Sequence, residues 1–234
     1  MSGSGRKPDP KILCLLEEVR RRRKRFQEAV LRWARANLRS FPWREERTPY
    51  RVLVAEVILR RTTSTAASRI YEKFLERWPD IHSLSKAEAG ELERVLEAVG
   101  YHKRRARILI DMARHIERDY GGVIPADMAS LLRVPHIGPY IAGAILSLGY
   151  GVPAAMVDSN VQRILSRCFH KYLPGKGLAK TIRTVAEMLV PSKGHVLFNL
   201  GLLDLGALVC RYNKPRCDEC PLRSVCDLGG MGHG

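Results

Sequence analysis

The chain has 234 residues, 45% of them hydrophobic, enough to bury a core as one large domain or two modest lobes. No apolar run is long enough to span a bilayer, and the N-terminal MSGSGRKPDP lacks an apolar segment behind its basic residues; a membrane protein and a secreted one are disfavoured, and a place inside the cell is expected. The 40 Lys and Arg against 24 Asp and Glu leave a net charge of +16, a field that favours polyanions such as nucleic acid, although a solubility device or a hot-adapted surface would carry it too.

Apolar residues recur at three- and four-residue spacing almost throughout, so the expectation is an all-α protein. A basic amphipathic helix is predicted over 10–37, with the polar run Arg20–Arg25 as a solvated face. Helices follow over 49–61 and 65–78; composition would also allow a strand over 52–59, but no hairpin partner neighbours it. Ser85-Lys86-Ala87-Glu88 reads as a capping box opening a helix that ends near Gly100. Further helices are predicted over 103–119, 126–133, 139–148, 159–171, 178–189 and 195–208, with fraying over 229–234. The scarcity of amides, two Gln and four Asn, points to a hot-adapted source.

Three features carry chemistry. Between the helices at 126–133 and 139–148 lies a tight turn, Val134-Pro135-His136-Ile137-Gly138, with Pro139 at the first helical position, where its missing N–H costs nothing. Backbone amides at such a turn hold a phosphate without reading sequence, although a plain packing corner has the same pattern. Asp158 lies eighteen residues past Tyr140 and fits the N-cap of the next helix; a carboxylate there can cap and also face a sugar. Glu56 interrupts an apolar run. Arg60 four residues on offers it an ion pair, whereas in a pocket desolvation would favour its protonated form and make it an acid.

Cys210, Cys217, Cys220 and Cys226 have the spacing C-x6-C-x2-C-x5-C. Four cysteines this close in an intracellular chain point to metal rather than disulfides. A four-thiolate zinc knot is one solution, but these unequal spacings suit a wider cubane better. Cys14 and Cys168 stand apart and read as small buried hydrophobes.

Together with Phe41-Pro42-Trp43-Arg44 and the stretch from Asn199 to Ala207, these motifs resemble the endonuclease III/MutY superfamily of helix-hairpin-helix DNA glycosylases, over roughly residues 41–226. The resemblance implies two helical lobes: residues 1–44 with 158–234 carrying a [4Fe–4S] cluster on the four cysteines, and 45–157 with the hairpin at about 126–149. It implies a catalytic aspartate at Asp158. Lyase-competent members have a lysine where this chain has Tyr140, and a phenol cannot form the imine that strand cleavage needs. Tyr140, Glu56 and Leu59-Arg60-Arg61-Thr62-Thr63 look like the archaeal-type enzymes that remove thymine or uracil opposite guanine. The adenine-specific type shares Glu56, but has glutamines where Arg60 and Arg61 stand and adds a C-terminal domain after the cluster, which is not expected here. His136 departs from the family, which usually has glycine there.

By the same resemblance Arg61 enters the space a flipped base vacates and contacts the orphaned guanine, and Tyr101 stands at the wedge position. Tyr140 and Glu56 meet the base, and His136, Gly138 and Arg60 lie on the DNA-binding side. Arg211, Lys214 and Arg216 meet phosphates. The expected partner is mismatched duplex DNA, met by a monomer in the cytoplasm on the nucleoid, with an abasic-site endonuclease or a sliding clamp as associates. Other readings are an adenine glycosylase acting opposite guanine or 8-oxoguanine, a non-catalytic iron–sulfur DNA-binding protein and an electron carrier.

Overall fold

The computed structural model describes residues 10–175 and 177–229. Among them the regular structure is helical, without a strand. The helices are α1 (Pro10–Asn37), α2 (Pro49–Ile58), α3 (Ser64–Arg77), α4 (Ile81–Ser85), α5 (Ala89–Leu96), α6 (His102–Tyr120), α7 (Met128–Leu131), α8 (Pro139–Ala144), α9 (Ser159–Cys168), α10 (Leu178–Leu189) and α11 (His195–Leu208). No helix of the described residues is long and apolar enough to cross a membrane. The N-terminal residues read for a leader lie outside the described residues, as does the predicted fraying from residue 230 onward. Gly229 itself is buried, its N–H donating to Cys226 O at 3.1 Å.

The chain divides into two compact units, Met1–Leu38 with Val157–Gly234, and Arg39–Met156. In the first, α1 buries Leu15, Glu18, Val19, Phe26, Val30 and Ala34, one stripe at helical spacing. Phe26 packs against Phe169 and Phe198 with centroids 6.3 Å away in each case. Gly201 lets α11 approach α1 closely: a Cβ there would lie 2.7 Å from Ala34 Cβ. Cys14 falls off the buried stripe and is exposed, contrary to expectation. Nor is the Arg20–Arg25 run wholly solvated. The Arg22 side chain is 12% exposed; it pairs with Glu18 and with Asp227 at 2.8 Å, and donates to Cys168 O and Val225 O, both at 2.8 Å.

In the second unit α2 packs on α3, α6 and α8, and α6 packs on α4 and α5. Residues 39–44 belong here, where Trp43 stacks on Phe41 and meets Tyr71 edge-on. Residues 52–58 are helix, not strand: Thr48 caps α2 by accepting from Arg51 N at 3.2 Å, and Pro49 opens its first turn. The capping box expected at Ser85–Glu88 does not form. Ser85 Oγ donates to His82 O at 2.8 Å, ending α4, while Glu88 precedes α5 without a side-chain cap. A capping box instead joins Asp80 and Ser83 and opens α4, a turn the sequence reading missed. The hairpin's first helix contracts to α7. The second passes from α8 into a π-helical turn, Ile145–Gly149, where Gly149 lies against Pro49: a Cβ there would be 2.7 Å from Pro49 Cα. Helix α9 stops at Cys168, whose carbonyl accepts from Arg22 and from Asp227 N.

Candidate functional site

The second unit carries most of the expected DNA-contacting residues. Glu56 sits half-buried on α2 among buried Val54, Ala55, Val57 and Ile58. The helix ends short of the predicted residue 61, and Arg60 Nη2 donates to His136 O at 3.0 Å, tying this turn to the hairpin. Burial pushes the Arg60 pKa down while the nearby Glu56 charge opposes that shift. Arg60, Arg61 and Tyr101 line one concavity with Val57, Arg104, Arg105 and Ile108. Tyr101 is 62% exposed, which a free aromatic wedge requires and a core aromatic avoids.

Among the described residues, the non-glycines with positive φ are Arg61 (51°), Tyr101 (49°) and His136 (65°). All three are residues that the sequence assigned to DNA. Each such conformation costs roughly 1–2 kcal/mol for an L-residue, and strain of this kind gathers at functional sites. The φ at His136 also explains why glycine suits that position and why histidine, which visits this region more readily than most residues, is tolerated.

The hairpin is built locally. Asp127 caps α7 by accepting from Ser130 N at 2.9 Å, the turn closes with Ile137 N donating to Val134 O at 3.2 Å, and extended Gly138 precedes Pro139. The His136 imidazole Nε2 lies 3.4 Å from an Asp111 carboxylate oxygen. Tyr140, half-buried, occupies the first turn of α8. Further along α8, Gly143 admits the backbone of Ala155, where any Cβ would collide with the Ala155 carbonyl.

Asp158 belongs to the other unit and caps α9: its Oδ1 accepts from Val161 N and its Oδ2 from Asn160 Nδ2, both at 2.8 Å. Burial pushes its carboxyl pKa up, against the hydrogen bonds from Val161 and Asn160 and the charge of Arg163, which favour the carboxylate. Arg163 extends the network, donating to Asn160 Oδ1, Gly206 O and Cys210 O, each at 2.8 Å. The side chain caps the helix with lone pairs left on both oxygens.

In the same unit Cys210, Cys217, Cys220 and Cys226 line a small hollow, partly open to solvent. Among the described residues no group of three or more His, Cys, Asp or Glu is arranged to hold a metal ion. The hollow's donor set is nevertheless all sulfur, with no carboxylate or imidazole in its lining, and that chemistry fits an iron–sulfur centre. Arg167 Nη1 donates to Cys210 Sγ at 3.3 Å. Cys168 is buried, as expected, but does not stand apart: it lines the same hollow and hydrogen-bonds Cys226. Its distance in sequence concealed this, as it concealed the tie of Arg22 to Asp227.

A model of the HhH-GPD superfamily of base excision DNA repair proteins matches residues 54–191. The thymine/uracil-DNA glycosylase of Methanothermobacter thermautotrophicus is 34% identical over 90% of this chain and 96% of its own length. The thymine-DNA glycosylase of Aeropyrum pernix is 36% identical over 90% of this chain and 94% of its own. A solved thermostable thymine-DNA glycosylase superposes with a TM-score of 0.83 at 34% identity, covering 89% of this chain and 96% of that one. With its all-helical fold, its hairpin and the span of that match, the chain belongs to the HhH-GPD superfamily of base excision DNA repair proteins.

Proposed function

We propose that this chain is a monofunctional DNA glycosylase that removes thymine or uracil mispaired with guanine and leaves an abasic site. One observation carries the chemistry: Asp158 is a carboxylate with both oxygens oriented at a helix start, at the position where the resemblance requires the catalytic aspartate. The named activity of the two archaeal relatives supports the choice of base.

A base inside a stacked duplex is unreachable, so the nucleotide flips out, more cheaply from a mispair than from a Watson–Crick pair. Arg61 fills the vacated space and contacts the orphaned guanine, Tyr101 wedges into the stack, and the hairpin at His136 and Gly138 holds a phosphate. Tyr140 borders the base and Glu56 hydrogen-bonds to its polar edge. As the N-glycosidic bond lengthens, positive charge grows on the sugar. Ionised Asp158 stabilises that charge and orients the water that adds to the anomeric carbon. The bond's electron pair leaves with the base, and no amine is present at Tyr140 to trap the sugar and cleave the strand.

Cys210, Cys217, Cys220 and Cys226 would hold a [4Fe–4S] cluster, which when bound supplies four iron–sulfur ties and takes no part in base release. The loop so fastened presents exposed Arg211, Lys214 and Arg216 to phosphates. The protein acts as a monomer on nucleoid DNA, and an abasic-site endonuclease consumes its product. Duplexes carrying T·G, U·G, A·G and A·8-oxoguanine, treated with alkali after incubation, test the reading. Cleavage of T·G and U·G alone supports it; preferential cleavage of the adenine strands would replace it with an adenine glycosylase, and binding without cleavage would remove catalysis.

A further inference from the structure

The sequence reading passed over Arg105, the third cation in Lys103-Arg104-Arg105. It is 4% exposed, and the hydrogen bonds of its guanidinium all run to main-chain carbonyls. Nη1 donates to Val57 O at 2.6 Å and to Ile58 O at 2.9 Å, carbonyls at the C-terminal end of α2, where a cation offsets the negative end of the helix. Nη2 donates to Val99 O at 3.2 Å and to Arg60 O, and Nε donates to Gly100 O at 2.9 Å. Two of these five acceptors matter most. Arg60 O and Gly100 O belong to the peptide units immediately before Arg61 and Tyr101, the two residues held at φ 51° and 49°.

We propose that Arg105 is a positioning residue: one buried guanidinium fixes both peptide units that precede Arg61 and Tyr101, and so presets the two side chains for entry into DNA. This rests on the reading that Arg61 and Tyr101 insert at a flipped base. The left-handed conformations need an outside constraint, because neither arginine nor tyrosine favours them, and the fork geometry of arginine can serve several carbonyls at once. Helix α2 and the turn before α6 are thereby joined through one side chain, so the spacing between the two inserting residues is set before DNA arrives. Preorganisation of this kind appears in the flipping step rather than in general affinity for the duplex.

The test uses a T·G duplex with 2-aminopurine beside the mismatched thymine, whose fluorescence rises on flipping, together with single-turnover excision. Arg105→Ala is expected to suppress the fluorescence rise and slow excision by about a hundredfold, the effect of an ångström-scale misplacement, with affinity for matched duplex nearly unchanged. Arg105→Lys keeps the charge but not the fork, and is expected to lose flipping and to melt lower than wild type while remaining folded at the assay temperature; it carries the test if the alanine variant fails to fold. In an Arg61→Ala/Tyr101→Ala background, the Arg105 substitution should add little, since residues acting through one another are non-additive. Wild-type flipping by folded Arg105→Lys, or an undiminished further loss in the double-variant background, would overturn the proposal. Wild-type flipping by Arg61→Ala/Tyr101→Ala would instead sink the insertion reading beneath it.

Discussion

Gly206→Ala probes how Asp158 is held without touching it. A Cβ at Gly206 would lie 2.5 Å from Asn160 Cβ and 3.2 Å from its Cα, so backbone at the start of α9 must give way. Restoring an ordinary carbon–carbon contact requires a shift of about 1 Å. Asn160 donates to Asp158 Oδ2 at 2.8 Å, so the displacement passes to the carboxylate. Overpacking of this kind costs about 1–3 kcal/mol. At about 2–4 °C per kcal/mol for a chain of this size, Tm should fall by about 2–12 °C. A misplacement of about 1 Å at a reacting group slows chemistry by about a hundredfold. Calorimetry and single-turnover excision, well below either melting temperature, measure the two effects separately. Gly201→Ala is the control: its Cβ would lie 2.7 Å from Ala34 Cβ, a comparable clash on α1 rather than on α9, so stability should fall while excision survives. A folded Gly206→Ala enzyme with lowered Tm and wild-type excision would refute the coupling of Gly206, Asn160 and Asp158.

Because burial pushes the Asp158 carboxyl up and catalysis needs the carboxylate, the acid limb of kcat/KM should lie above the usual aspartate range. Asn160→Ala, which removes a hydrogen bond favouring the ionised form, should move that limb higher still; a limb in the ordinary range would contradict both. The folded state binds this proton more tightly than the unfolded chain does, so the contribution of Asp158 to stability falls as pH rises through its folded pKa. Asp158→Asn keeps the acceptor for Val161 N but loses the one for Asn160 Nδ2, and its melting temperature relative to wild type should therefore fall as pH is lowered from neutral through the folded pKa. Tyr140→Lys should create an adduct with the abasic sugar trappable by borohydride, and failure to trap any would separate position 140 from the sugar. Purified protein should be brown and contain about four irons per chain, and chelating them should lower Tm and loosen the loop around Arg211–Arg216, as protease sensitivity would show; a colourless protein with one zinc would contradict the cluster.

Helix positions were largely legible, because an amphipathic stripe such as that of α1 is written in local spacing. Pro139 and Asp158 announced their helix starts for the same reason. The false capping box at Ser85 shows the limit: Ser85 and Glu88 have the right spacing, but Asp80 and Ser83 supply better local donors and acceptors one turn earlier. What escaped entirely was held by long-range or main-chain partners. Arg22 looked like one more member of a polar run, yet its acceptors lie 146 and 203 residues away. Arg105 was hidden because carbonyl acceptors carry no sequence signature, and Cys168 because only the folded chain brings it to Cys226. Of the strained residues, His136 was flagged by its departure from glycine; nothing in the identities of Arg61 or Tyr101 signalled a left-handed backbone.

The most direct measurement is release of thymine from a T·G duplex by Asp158→Asn under single-turnover conditions, with duplex affinity measured on the same preparation. Binding near the wild-type value and no detectable abasic product is the predicted result. Release within about tenfold of the wild-type rate, a loss of little more than 1 kcal/mol in transition-state stabilisation, would contradict the assignment of glycosidic cleavage to that carboxylate.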